Sequence, residues 1–136
     1  MFKLIKIRGS RTNVPETEIV PIGSSSYVAG TLCYIADSIV STSPLSENDV
    51  KFIPLESVNE ESGRKTIRGY IVNEDMVFET EIYGNHESVS VGMRICTQTD
   101  DNDNIVGVYA AEGSDAILLN KDDVKNGKKV LVALKG

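Results

Sequence analysis

The chain has 136 residues, of which 40% are hydrophobic and 25% are charged, and its formal net charge is −6. This length and composition predict one globular domain with its own core, because a chain of about 150 residues buries roughly two-thirds of its unfolded surface. The acidic balance argues against a nucleic-acid partner, since phosphate binding needs clustered lysine and arginine.

Short apolar runs separated by turn residues recur along the chain and predict β-strands. In the first half we expect five strands, at Phe2–Ile7, Thr17–Ile22, Tyr27–Ala36, Val50–Leu55 and Ile67–Val72. Two polar stretches, Ser38–Asp49 and Glu56–Lys65, are predicted to be long loops, a type of segment that often carries function. Residues Arg8–Glu16 have no pattern and are interpreted as an extended arm.

The clearest alternation lies in Met76–Ile82 and Val89–Thr97, which predict two half-buried strands. One face of the first strand is expected to contain Met76, Phe78, Thr80 and Ile82, and one face of the second Val89, Val91, Met93 and Ile95. Because the link Tyr83–Glu87 has the composition of a turn, residues 76–97 are predicted to form a hairpin. Arg94 would then face Glu79 or Glu81 across the strands.

The last third predicts three further strands, Asn104–Ala110, Ala116–Leu119 and Lys128–Leu134. In the last of them, Val130, Val132 and Leu134 are expected to point inward. Turns are predicted at Asp100–Asn104 and, from an Asn-Gly pair, at Lys125–Lys128. Roughly eight to ten short strands with little helix predict a mostly-β, single-domain sandwich or barrel, without an internal repeat at solenoid or propeller periods.

The two cysteines, Cys33 and Cys96, lie in apolar stretches and are expected to be free thiols, with one bridge between them as the alternative. The basic runs are interpreted as solvated strand faces and a turn; they are Lys3/Lys6/Arg8/Arg11 and Lys125/Lys128/Lys129. No apolar run approaches the ~18–20 residues of a membrane span, and the charged N-terminus is unlike a signal peptide. We therefore expect no membrane partner.

No group of residues in the sequence matches the pattern of a known catalytic, metal-binding or phosphate-binding motif. His86, the single histidine, lies in a predicted polar turn, where solvent competes with any base, and one histidine with two distant cysteines does not suit zinc. Read as a calcium loop from Asp100, the chain has Ile105 where glycine is required and Ala111 where glutamate is required. The run Gly23–Ser26 lacks the Gly-Lys-Ser/Thr ending of a phosphate-binding loop. We predict a non-enzyme without catalytic, cofactor-binding or metal-binding residues.

Four segments occur in a notable order: Ile19-Val20-Pro21-Ile22-Gly23, Val28-Ala29-Gly30-Thr31-Leu32-Cys33-Tyr34, Ile67-Arg68-Gly69-Tyr70-Ile71-Val72 and Met76-Val77-Phe78-Glu79-Thr80. This order resembles the small head-decoration (auxiliary capsid) proteins of tailed bacteriophages. The resemblance covers about residues 17–97. It implies a structural virion protein, made in the host cytoplasm, that binds the outer capsid surface and stabilises the shell.

The resemblance further implies that the partner is the major capsid protein and that the protein is a homo-oligomer. In the family a terminal arm grips the capsid, and Met1–Glu16 is the matching region by position, ahead of a β domain over residues 17–136. Adding such an arm to the partner's sheet would gain main-chain hydrogen bonds.

Two alternatives remain open at this point. The first is a β-sandwich module that binds a ligand or glycan, such as a viral tail or receptor-binding component, with its groove under loops 38–49 and 56–66. The small number of aromatic residues and the absence of tryptophan count against it. The second is an enzyme on a small β-barrel that depends on His86.

Overall fold

The computed structural model describes residues 1–9, 17–23, 26–46, 49–122 and 128–134. Within these residues the protein is mostly β, as predicted, with eleven strands and two short 3-10 turns at Glu60–Ser62 and His86–Ser88. The strands are β1 (Lys3–Ile7), β2 (Thr17–Pro21), β3 (Cys33–Ala36), β4 (Ile39–Ser41), β5 (Val50–Pro54), β6 (Thr66–Ile71), β7 (Met76–Tyr83), β8 (Arg94–Thr99), β9 (Ile105–Glu112), β10 (Ala116–Asn120) and β11 (Lys129–Leu134).

Two first-half boundaries differ from the prediction. The strand predicted from Tyr27 begins only at Cys33, because a turn that needs a left-handed backbone at Gly30, with φ +83°, interrupts the run. The polar stretch predicted as a loop over Ser38–Asp49 contains β4, which returns from β3 through the left-handed residues Asp37 and Ser38. This extra strand brings the number above the eight to ten expected.

The predicted hairpin over residues 76–97 is wrong. The predicted face of β7 is confirmed, since Met76, Phe78, Thr80 and Ile82 are all buried. However, β7 pairs with β1, β9 and β11, whereas β8 pairs with β9 and β10. The second strand starts at Arg94 because Gly92, with φ +94°, bends the chain before it. Arg94 therefore lies opposite Ile117 of β10 and not opposite Glu79 or Glu81.

The eleven strands form two sheets. The second-half barrel consists of β7–β11 in the closed order β7-β11-β10-β8-β9, completed by a parallel pairing of β9 with β7, and β1 is added beside β7. The first-half sheet has the order β2-β6-β5-β3-β4. It curls until a parallel bridge between Ile22 and Val40 brings the end of β2 to β4.

The two sheets repeat one topology. In each half the first strand pairs antiparallel with the fifth and parallel with the third, and the others follow in the same order. A closed circuit can be traced around the first-half sheet by crossing between paired residues and stepping two or four residues along a strand. It passes through Ile22, Val20, Ile67, Ile71, Phe52, Cys33, Ile35 and Val40. The same steps around the second-half barrel visit Ile82, Thr80, Val130, Leu134, Ala116, Ile95, Thr97 and Val108. Because both circuits close in register, the halves are equivalent at these eight inward positions.

The turns before β3 and β8 repeat as well. The Gly30 amide donates to the Pro54 carbonyl oxygen at 2.9 Å, and the Gly92 amide donates to the Leu118 carbonyl oxygen at 2.7 Å. Both glycines have positive φ. The shared hydrogen bond is independent of the strand pairings and supports the same equivalence of residues between the halves.

At one pair of equivalent inward positions, the two halves differ in how side-chain size is distributed. In the first-half sheet the ring of Phe52 lies against Gly69, where a Cβ would come within 2.5 Å of the ring. The equivalent pair in the second-half barrel is Ala116 and Val132, both buried. A phenylalanine ring packed against a glycine in the first half thus takes the place of an alanine and a valine in the second.

The halves share core residues and form one domain. One cluster fills the first-half sheet and includes Cys33, Phe52 and Ile67. The larger cluster fills the second-half barrel, but it also includes Leu32, Tyr34 and Ile53 from the first half. Strands β3 and β5 are therefore buried on both faces, one toward each cluster, which couples the folding of the halves.

The N-terminal residues belong to this domain. Strand β1 pairs antiparallel with β7, and Phe2 is buried with its ring edge-to-face against Phe78 at a centroid distance of 6.3 Å. Of the arm predicted over residues 1–16, residues 1–9 are thus part of the folded domain, and residues 10–16 lie outside the described residues.

Candidate binding surface

Both cysteines are free thiols, as expected. Cys33 points into the first-half core and is 1% exposed, with its Sγ 3.7 Å from the Thr31 hydroxyl oxygen. Burial raises the pKa of the Cys33 thiol to about 11, and the Thr31 hydrogen bond offsets this only in part. Cys96 is half-buried on β8 and donates to the Glu112 carbonyl oxygen. Cys33 therefore has the role of a small apolar core residue.

We expect the stability of the protein to fall at alkaline pH because of Cys33. Folding raises the pKa of this thiol from 9.0 to about 11, so its contribution is fully present below pH 9 and is lost as the pH rises through 11. The contribution amounts to about 2–3 kcal/mol. Urea unfolding between pH 8 and pH 11 should show this loss in the wild type but not in Cys33→Ala, with Cys96→Ala as the control. An equal loss in both variants would contradict the assignment.

His86 lies at the start of the 3-10 turn His86–Ser88, between β7 and β8, as the predicted turn implies. Asn85 caps this turn by accepting from the Glu87 amide at 3.1 Å. The Ser88 hydroxyl lies within hydrogen-bond distance of two backbone acceptors, the carbonyl oxygens of Asn85 at 2.7 Å and of Ala110 at 3.0 Å. These hydrogen bonds fix the turn against β9 and occupy the Ser88 hydroxyl with backbone carbonyl oxygens.

The acidic run Asp100–Asn104 connects β8 and β9 as a tight turn, which confirms the hairpin-turn interpretation. One carboxylate oxygen of Asp100 accepts from the amides of Asn102 and Asn104, each at 2.9 Å. Asp103 adopts a left-handed backbone with φ 62°. The Asp100 carboxylate is thereby engaged with amide donors. Among the described residues there is no group of three or more histidine, cysteine, aspartate or glutamate side chains that could hold a metal ion.

The predicted loops are held by local hydrogen bonds. In the loop before β5, the Asp49 carboxylate accepts from the Leu45 and Ser46 amides at 2.7 and 3.0 Å. In the loop before β6, Glu56 pairs with Arg64 at 2.7 Å, and the hydrogen bond from Arg64 lowers the pKa of this exposed carboxyl group.

Other predicted features lie partly outside the described residues. Ser24 and Ser25 of the Gly23–Ser26 run and residues 125–127 of the Asn-Gly turn are among them. Of the basic runs, Lys3, Lys6, Arg8, Lys128 and Lys129 are exposed, in agreement with solvated faces. None of the described helical turns is long enough to cross a membrane.

One shallow depression of the described surface has about 160 Å³ of empty space and is open to solvent. It is lined by Glu79, Asn120, Lys129, Val130 and Leu131. Two exposed strand faces carry large apolar or aromatic side chains.

The first such face lies on the seam between β2 and β4, and we name it the apolar seam. It contains Ile19 and Pro21 of β2 and Ile39 of β4, which alternate with the buried Val20 and Val40 and so point outward. The bridge between Ile22 and Val40 places Pro21 beside Ile39 in the parallel register. Ile19 and Ile39 are 59% and 44% exposed, so the seam presents branched apolar side chains to solvent.

The repeated topology supplies an internal comparison for this seam. The positions equivalent to Ile19 and Pro21 in the second-half barrel are Glu79 and Glu81. Glu79 pairs with Lys129 at 3.6 Å, and Glu81 contacts the N-terminal amine. The positions of Ile19 and Pro21 are thus occupied in the second half by glutamates that each pair with a cation.

A second exposed face lies on the seam between β7 and β9, and we name it the tyrosine pair. Tyr83 and Tyr109 are partners in the parallel register and are 40% and 43% exposed. The sequence predicts a turn at Tyr83 and no role for Tyr109. Their proximity depends on a parallel pairing between strands 22 or more residues apart, which period-two patterns do not reveal.

Searches of protein-family models, of curated proteins and of solved structures found no match to this chain.

Proposed function

We propose that this protein is a structural virion protein that binds the outer surface of a capsid and stabilises the shell by contact rather than by catalysis. The observation that carries the proposal is the apolar seam, because exposed branched apolar side chains grouped on one face of a charged, soluble surface are typical of protein–protein contacts. The capsid partner comes from the sequence resemblance, whose segments lie mainly on β2, β6 and β7, with the remaining segment in the turn that leads into β3.

The acidic character of the remaining surface supports this assignment. With a net charge of −6, most of the exterior repels other acidic surfaces and stays solvated, so association is directed to the seam. Several copies bound around a shell, or an oligomer of this chain, would combine weak single contacts into stable attachment. The partner that we propose is the major capsid protein.

The seam can be tested by placing a negative charge at each of its two exposed isoleucines. We expect Ile19→Glu combined with Ile39→Glu to weaken binding to purified shells by about 100-fold. The reason is that burial of the two isoleucine side chains on docking contributes roughly 3 kcal/mol of binding free energy. Cosedimentation of the protein with shells from its native source measures the binding. The melting temperature should stay within a few degrees, since both isoleucines are exposed and the position equivalent to Ile19 is already Glu79.

The matched control is Val91→Glu, which introduces the same charge at a residue 56% exposed outside the seam. This variant should cosediment as the wild type does. Wild-type protein that fails to bind shells would refute the proposed function, whereas equal binding by the wild type and the double variant would refute only the location of the contact.

A further inference from the structure

One edge of the first-half sheet has no described neighbour at the place where the second-half barrel has an added strand. In the second half, β1 pairs antiparallel with the part of β7 that β9 does not reach, and it lies opposite Val77 and Glu79. The equivalent residues of β2 are Thr17 and Ile19. Among the described strands, only β6 pairs with these two residues. We name Thr17–Ile19 the open edge.

The free backbone groups of the open edge follow from one hydrogen bond. The Ile22 amide donates to the Lys65 carbonyl oxygen at 3.0 Å, on the β6 side of β2. Alternate residues of an antiparallel strand direct their backbone polar groups to the same side, so Glu18 also faces β6 whereas Thr17 and Ile19 face away from it. Each of these two residues therefore presents an N–H and a C=O group at the open edge.

Solvent exposure agrees with this assignment. Val77, which β1 covers, is 1% exposed, whereas its equivalent Thr17 is exposed and Ile19 is 59% exposed. Strand β4 does not extend along the open edge, because the left-handed turn at Asp37 and Ser38 leads the chain across to β3. The edge is thus accessible from the direction in which β1 approaches β7.

We propose that the open edge binds an extended segment of a partner protein, which adds to β2 as an antiparallel strand in the way that β1 adds to β7. Strand addition gains main-chain hydrogen bonds from the exposed amide and carbonyl groups, and alternate side chains provide specificity. Ile19 contributes its side chain to the apolar seam and its backbone to this edge. Strand addition here does not require that the partner be a capsid protein.

Charge defines the chemistry of the partner segment. Where β1 meets β7, Leu4 lies opposite the buried Phe78. The equivalent of Phe78 on β2 is Glu18, which is exposed and forms no ion pair with another described residue. Lysine or arginine is therefore favoured where β1 has leucine, and an apolar residue is favoured beside the exposed Ile19.

The neighbouring residues leave the charge of Glu18 in place. Glu18 lies opposite Gly69, which has no side chain. Arg68 lies opposite Ile19, so its side chain is on the other face of the sheet from Glu18. The exposed Asp37, level with Ile19 in the parallel register of β2 and β4, adds a second negative charge. The segment that fits this edge thus alternates apolar and basic residues.

Binding is measured by fluorescence anisotropy, with the full chain added to the dye-labelled peptide Thr-Val-Lys-Val-Lys-Val-Thr. The control probe is the charge-reversed peptide Thr-Val-Glu-Val-Glu-Val-Thr. We expect saturable binding of the lysine peptide and at least tenfold weaker binding of the glutamate peptide. The variant Glu18→Lys should reverse this preference, because the charge beside the added strand changes sign.

A backbone variant tests strand addition itself. Ile19→Pro removes the amide that faces the open edge and leaves the hydrogen bonds to β6 in place, as proline is tolerated at sheet edges. We expect it to weaken binding of the lysine peptide at least tenfold. Ile19→Val keeps the amide and should bind as the wild type does, and circular dichroism checks that both variants fold.

Absence of saturable binding by the wild type, or equal binding by the wild type and a folded Ile19→Pro variant, would overturn the proposal. A wild-type dimer in size-exclusion chromatography that Ile19→Pro converts to a monomer would also overturn it, because a second copy would then occupy the edge. If Ile19→Pro does not fold, Glu18→Lys decides: an unchanged peptide preference would contradict binding beside Glu18.

Discussion

Gly69→Ala should destabilise the protein by about 3 kcal/mol, a large share of the 5–15 kcal/mol typical of a domain. A Cβ at this position would lie 2.4 Å from the Ile53 carbonyl oxygen and 2.5 Å from the Phe52 ring. Both neighbours are buried, so the backbone of β5 must move to make room. Thermal unfolding followed by circular dichroism should show a melting temperature lower by about 10 °C.

Two further variants separate the causes of this effect. Gly23→Ala is the control, because a Cβ at Gly23 meets nothing within 4 Å, and it should change stability by less than about 0.5 kcal/mol. Phe52→Ala in the Gly69→Ala background removes the ring but leaves the carbonyl clash, so we expect coupling between the two sites in a double-mutant cycle. Strict additivity would show that the ring and the glycine do not share space.

Separated halves of the chain should not fold alone. A fragment of residues 74–136 would lack β1 and the first-half side chains Leu32, Tyr34 and Ile53, all of which belong to the larger core cluster or its sheet. A chain of about 60 residues is marginal even with a complete core. We therefore expect both this fragment and residues 1–73 to lack a cooperative thermal transition by circular dichroism.

Mixing the two fragments should restore the fold, because the contacts between halves are those that each fragment lacks. The restored complex should elute as one species in size-exclusion chromatography and should unfold cooperatively. A fragment of residues 74–136 that unfolds cooperatively without its partner would contradict the shared core and would make the second-half barrel an independent unit.

Local patterns in the sequence predicted local structure well. The buried face of β7, the inward residues Val130, Val132 and Leu134 of β11, and the Asp100 turn are confirmed, because period-two alternation and aspartate-rich turns depend on nearby residues. Strand pairing was not predictable in this way. The stretches around β7 and β8 alternate as a hairpin would, yet their partners lie elsewhere, since many pairings bury such a face equally well.

The repeated topology could not be predicted from the sequence, for a related reason. Equivalent inward positions need only side chains of suitable size, and pairs such as Cys33 and Ile95 or Phe52 and Ala116 share no identity. What the halves share is register and the glycine turn, which become visible only when the hydrogen bonds are known. The apolar seam and the tyrosine pair were missed too, because both depend on parallel pairings between distant strands.

The pairing of β1 with β7 has a consequence for the order in which the chain can fold. During synthesis, Lys3–Ile7 leaves the ribosome about seventy residues before Met76–Tyr83. Until then the first strand has an apolar face and no neighbour in its own sheet, while β2–β6 can already pair among themselves. Of the eleven strands, the first in chain order is therefore among the last to find its partner, and Phe2 stays without its packing partner Phe78 until the later half is made.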